Sequence, residues 1–186
     1  MQEHEHVIDV LQKVKEAAKN EDVVALNELS NQTIHSSAIY QDTDNILVAV
    51  VVYSLAKLIQ RKHSFPEKVF NKYFKYYLDT IEFSKVCVEK NDCDIFRNRV
   101  QEMSDVPGLS NELKNSVKEV FRKARINKAS KIYEHGISMQ ATAKLLGISI
   151  WELADYVGQG NTSDYEENKT ADIKKRVKVA MEIFEK

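Results

Sequence analysis

Turn residues are so scarce in this chain that they decide its fold class. Five Gly and two Pro serve 186 residues. A β-rich fold needs frequent turns, and those turns need residues of this kind. Hydrophobic residues make up 43% of the chain and charged residues 30%. That balance is enough to bury a core and keep a charged surface. An all-α protein is therefore expected: an N-terminal helical bundle, then a helix-turn-helix domain, then a C-terminal amphipathic helix.

The break between the first two parts is expected at Ser104-Asp105-Val106-Pro107-Gly108, where Pro-Gly signals a turn and the residue before Pro is biased away from helix. This gives a bundle over 1–105, a helix-turn-helix domain over 109–160, and a linker with a final helix over 161–186. In the bundle, Val7, Val10, Leu11, Val14 and Ala18 share one helical face. After a break at Asn20 a second helix carries Val23, Leu26, Leu29 and Ile34. Asp44 is placed to cap a helix starting at Ile46, whose apolar run to Ile59 suits the centre of a bundle. That run falls short of the ~20 apolar residues of a membrane span. Ser64-Phe65-Pro66-Glu67 reads as the start of a long helix with Phe70, Tyr73, Phe74, Tyr77 and Ile81 on one stripe. The aromatics fit a core better than a base-stacking platform.

Few residues suggest chemistry. Cys87 and Cys93 have no partners at metal-ligand spacing, and so few cysteines fit a reducing cytosol. The first ten residues lack the basic lead of a signal peptide. Arg followed five to seven residues later by His on one helix, the mark of the helical-bundle ribonucleases, is absent. No catalytic residue, metal or cofactor is expected, and no enzyme.

Net charge is −1, unevenly spread. Residues 1–106 hold 13 Lys+Arg against 17 Asp+Glu, whereas residues 107–186 hold 14 against 11. Residues 107–135 hold seven against three, so the second half leans toward a polyanion.

The stretch from Ile132 to Val157 carries the functional signal. A helix over about 111–134, with Leu113, Val117, Val120, Phe121, Ala124, Lys128 and Ile132 along one side, leads into it. Ser138 can cap a short helix, Met139 to Leu146. Ala143 is small enough for a close helix crossing, and Gly147 follows where a left-handed residue is needed. Ser149 and Glu152 form a capping box for the next helix. Leu145, Leu146, Ile148, Leu153 and Val157 would fill the small core. This is a helix-turn-helix pattern.

Three runs, Gly136-Ile137-Ser138, Ala143-Lys144-Leu145-Leu146-Gly147-Ile148-Ser149 and Trp151-Glu152-Leu153, resemble the helix-turn-helix module of small prokaryotic antitoxin-type proteins. The resemblance covers about residues 125–160. It implies DNA binding, commonly as a homodimer, and autoregulation of a toxin–antitoxin operon.

The second helix of such a motif offers its first residues to base edges. Here it brings two acids and no base. Phosphate attraction, which supplies most non-specific affinity, must then come from Lys144 and from Arg122, Arg125, Lys128 and Lys131 on the preceding helix. With Ser138, Gln140, Ser149 and Trp151 at the motif's two helix starts, these are the expected DNA contacts. A second reading makes the motif structural and the protein an adaptor or docking module. The final helix, from about Thr170, carries Ile173, Val177, Ala180, Met181 and Phe184 as an apolar stripe, expected either to dock on the bundle or to bind a partner's groove, with Ile173, Val177, Met181 and Phe184 as the expected contacts to a protein partner.

Overall fold

A computed structural model describes residues 4–40, 42–90, 92–103 and 110–158. The expected boundary at 104–108 and the final helix with Ile173, Val177, Met181 and Phe184 lie outside these residues. Among the described residues the chain is all-α, with eight α-helices, one 3-10 turn and no strand.

The helices are α1 (His4–Lys19), α2 (Val23–Tyr40), α3 (Thr43–Gln60), α4 (Glu67–Glu89), α5 (Cys93–Glu102), α6 (Asn111–Glu134), α7 (Met139–Leu146) and α8 (Ile150–Gly158). Alternating apolar stripes set their faces. Val7, Val10, Leu11, Val14 and Ala18 of α1 are buried, as their spacing predicts. The chain turns over at Asn20-Glu21, with Glu21 in the left-handed region (φ 52°). The Asp22 carboxylate then accepts from the Ala25 N–H at 2.9 Å and starts α2.

Helix α3 is the axis. It packs on α1, α2, α5, α6 and α7, and its residues from Val48 to Ala56 are all buried. It has the length and apolar content of a membrane-crossing helix, but 78% of that window is buried among the other helices. Its cap differs from expectation. Asp42, not Asp44, accepts from the Asp44 N–H at 2.9 Å. Asp44 lies buried within the first turn instead, where Arg97 of α5 grips it through Nε at 2.6 Å and Nη2 at 2.9 Å.

The start of α4 also differs. Ser64 closes the 3-10 turn Lys62–Ser64, and Pro66 stands at the cap with no side-chain hydrogen bond. The residue before a proline is pushed into extended backbone. Phe65 has that geometry (φ −115°, ψ 145°), which carries Ser64 away from the free amides. The aromatic stripe of α4 is core. The Tyr77 hydroxyl donates to the Val51 carbonyl at 2.6 Å and the Tyr73 hydroxyl to the Met103 carbonyl at 2.9 Å. Burial raises both phenols far above their ordinary pKa. Rings locked this way are no platform for nucleic-acid bases.

Helix α6 connects everything. Its ring at Phe121 stacks on Tyr77 of α4, and it packs along α3 and α2 on one side and α7 and α8 on the other. One continuous buried cluster runs from Val7 to Leu153. The α7–α8 pair is therefore built onto the bundle through a helix that both parts share.

Candidate nucleic-acid interface

Local rules build the motif from the end of α6. Gly136 (φ 88°) lets the chain leave that helix. Ser138 caps α7, its hydroxyl accepting from the Ala141 N–H at 3.3 Å. Helix α7 spans eight residues and ends on Gly147 in the left-handed conformation (φ 62°, ψ 38°). The Ile148 N–H then donates back to the Ala143 carbonyl at 3.1 Å, closing the turn. Ser149 and Glu152 form the expected capping box. Glu152 N–H donates to the Ser149 hydroxyl at 3.1 Å, and Ser149 N–H donates to the Glu152 carboxylate at 3.0 Å. Ala143, Leu146 and Leu153 are buried, and Leu145, Ile148 and Val157 pack against them half-buried.

The expected contact residues do not share one surface. Ser138, Gln140, Lys144, Ser149 and Trp151 are exposed on α7 and α8. Trp151 is 80% exposed, the most open of the large apolar side chains among the described residues, with Ile150 beside it at 36%. The two serine hydroxyls are already engaged in capping.

Arg122 does reach this end of α8, but its charge is committed. It donates to Glu119 through Nε at 2.9 Å and Nη2 at 3.0 Å, and to Glu152 through Nη1 at 2.9 Å. The Ser149 N–H and hydroxyl, followed by Arg122, hold the Glu152 carboxyl below the usual carboxylate range. Arg125 is half-buried on α6. Lys131 pairs with Glu134 at 3.1 Å.

Lys128 is misplaced by the expectation of a phosphate contact. It is 1% exposed and faces the bundle. Its ammonium donates to Asn31 Oδ1 at 2.9 Å and sits 4.2 Å above the centre of the Tyr53 ring. Its spacing after Phe121 and Ala124 held this information, since those positions share the buried stripe of α6. The partners, on α2 and α3, are too distant in sequence to be read from it.

Other joints had no sequence signal. Asn127 donates to the Tyr156 hydroxyl at 3.1 Å, tying α6 to α8. The rings of His35 and His135 meet edge-on at 5.0 Å, tying α2 to the end of α6. No group of three or more metal-ligating side chains occurs among the described residues. Cys87 is a buried free thiol.

The motif proper, residues 138–158, thus carries one cation, Lys144, and two acids, Glu152 and Asp155. On α6, Lys118, Arg122 and Arg125 follow each other at helical spacing, and Arg122 reaches the motif through Glu152.

No protein-family model, curated protein or solved structure matches this chain.

Proposed function

We propose that the protein is a helix-turn-helix DNA-binding factor acting as a transcriptional regulator of the antitoxin-like kind, as a homodimer. The observation that carries this reading is the open outer face of α8, with Ser149, Ile150, Trp151 and Asp155 exposed on a helix pinned from behind by α6 and α7. A helix held this way can enter the major groove with its first turn leading.

Charge sets how such a complex would behave. Arg122 neutralises Glu152 rather than phosphate, and Lys128 takes no part. Lys123 pairs with Glu119 at 3.5 Å. About three cations per protomer remain (Lys118, Arg125, Lys144), which predicts a shallow salt slope of roughly −2.7 per protomer. Apolar contact from Trp151 and shape would then carry a large share of affinity.

Binding of the purified protein to its own upstream DNA and to random duplex, at two salt concentrations, tests this. Selective binding that Lys144→Glu weakens and Lys128→Met leaves intact supports the reading. Absence of binding at low salt overturns it. A second reading, a protein-docking module, draws on the Trp151 side chain among acids. Exposed aromatics next to arginine favour protein partners, and interface cores are poor in lysine.

A further inference from the structure

The open face of α8 combines two features that rarely stay in water together. Trp151 projects almost wholly into solvent, and Ile150 widens the apolar surface around it. Glu152 stands beside Trp151, its carboxylate already held by Arg122. The face asks for an apolar cover.

The chain's own sequence holds such a cover, a short distance away. After Gly158, eleven residues (159–169) lead to a stretch, 170–186, whose Ile173, Val177, Met181 and Phe184 recur at helical spacing. Lys174, Lys175 and Lys178 flank that stripe. Reach is sufficient. Gly158 lies about 10 Å along the helix from Trp151, and eleven residues can span up to ~36 Å. A tether that short gives an effective local concentration in the millimolar range, so a weak contact is enough to close it.

We infer that residues 170–186 of this chain dock their apolar stripe on the Ile150–Trp151 face of α8. The contact is self-directed, and anything else that uses the face, DNA included, must displace it. A second copy of the chain would need its own affinity to do the same, without the help of the tether.

Trp151 is the chain's only tryptophan, so its fluorescence reports this face alone. The test compares the full-length protein with a full-length Val177→Glu/Met181→Glu variant, with far-ultraviolet circular dichroism to check that both are folded. Docking predicts a blue-shifted emission and weak acrylamide quenching in the parent. The variant is expected to shift to the red and quench several-fold more strongly. A synthetic peptide of residues 170–186 should restore protection to the variant. Equal, strong quenching in both proteins overturns the inference. Protection that survives the double substitution and grows with protein concentration also overturns it, in favour of a second copy. The readout uses no DNA, so its failure and the failure of DNA binding are separate results.

Discussion

Replacing Lys128 separates a structural cation from a DNA-binding one. Its side chain is buried against Asn31 and the Tyr53 ring. Lys128→Ala removes three buried methylenes beyond Cβ, worth ~2.4 kcal/mol at ~0.8 each. It also removes a charged hydrogen bond of about 1.5–3 kcal/mol and a desolvated cation–π contact of up to ~2 kcal/mol. Against these stands the relief of no longer holding an ammonium out of water, which is several kcal/mol. The net expectation is a loss of about 3 kcal/mol, or a fall in Tm of roughly 6–12 °C for a chain of this length. Lys128→Met keeps the stem and gives up the hydrogen bond and the desolvation cost together. Asn31 is exposed and can turn to water, so this change should cost only about 1 kcal/mol. Urea unfolding followed at 222 nm measures both. If Lys128→Ala is as stable as the parent within about 0.5 kcal/mol, and DNA affinity falls instead, the ammonium is at the surface and the reasoning is wrong.

Three further changes probe the joints around it. Gly147→Ala should destabilise by about 1–2 kcal/mol, the cost of a left-handed alanine. Nothing lies within 4 Å of the added methyl, so sterics contribute no more, and Gly147→Asn should recover part of the loss in thermal unfolding. Arg97→Ala leaves the buried Asp44 carboxylate without its forked partner. The 3–5 kcal/mol of a fully buried pair is discounted to about 2, because Arg97 is 45% exposed. Arg97→Lys should not restore the lost stability, since one ammonium cannot make the fork. Glu152 has a lowered carboxyl pKa, so its contribution is present above the ordinary carboxylate value of about 4.3 and lost as pH falls through its folded value. Glu152→Gln should therefore flatten the acid loss of stability below that pH. An unchanged profile by circular dichroism would remove the capping box from the list of stabilising contacts.

Local features were legible in the sequence because local forces make them. The stripe of α1, the bounds of α7, the Ser138 cap, the left-handed Gly147 and the Ser149–Glu152 box all depend on residues within four or five positions of each other. Asp44 shows where that stops. A short-range rule makes it a cap, but Arg97, 53 positions on, makes it a buried anchor. Ser64 fails for a local reason that outranked capping, the constraint Pro66 places on Phe65. At the candidate site the motif was readable and its charge was not. Whether Arg122 or Lys128 faces phosphate depends on what α2, α3 and α8 place opposite them. Composition counts such cations without saying which are already spent.

The two-sided burial of α6 also governs how the motif can be inherited. Here the helix that supports α7 and α8 needs Tyr77 and Tyr53 of the bundle to cover Phe121 and Lys128. Excised at residue 109, the unit would carry a raw apolar flank with a charge stranded on it. The bundle and the motif are thus expected to diverge as one evolutionary unit, with substitutions at 121 and 128 answered by substitutions at 53 and 77.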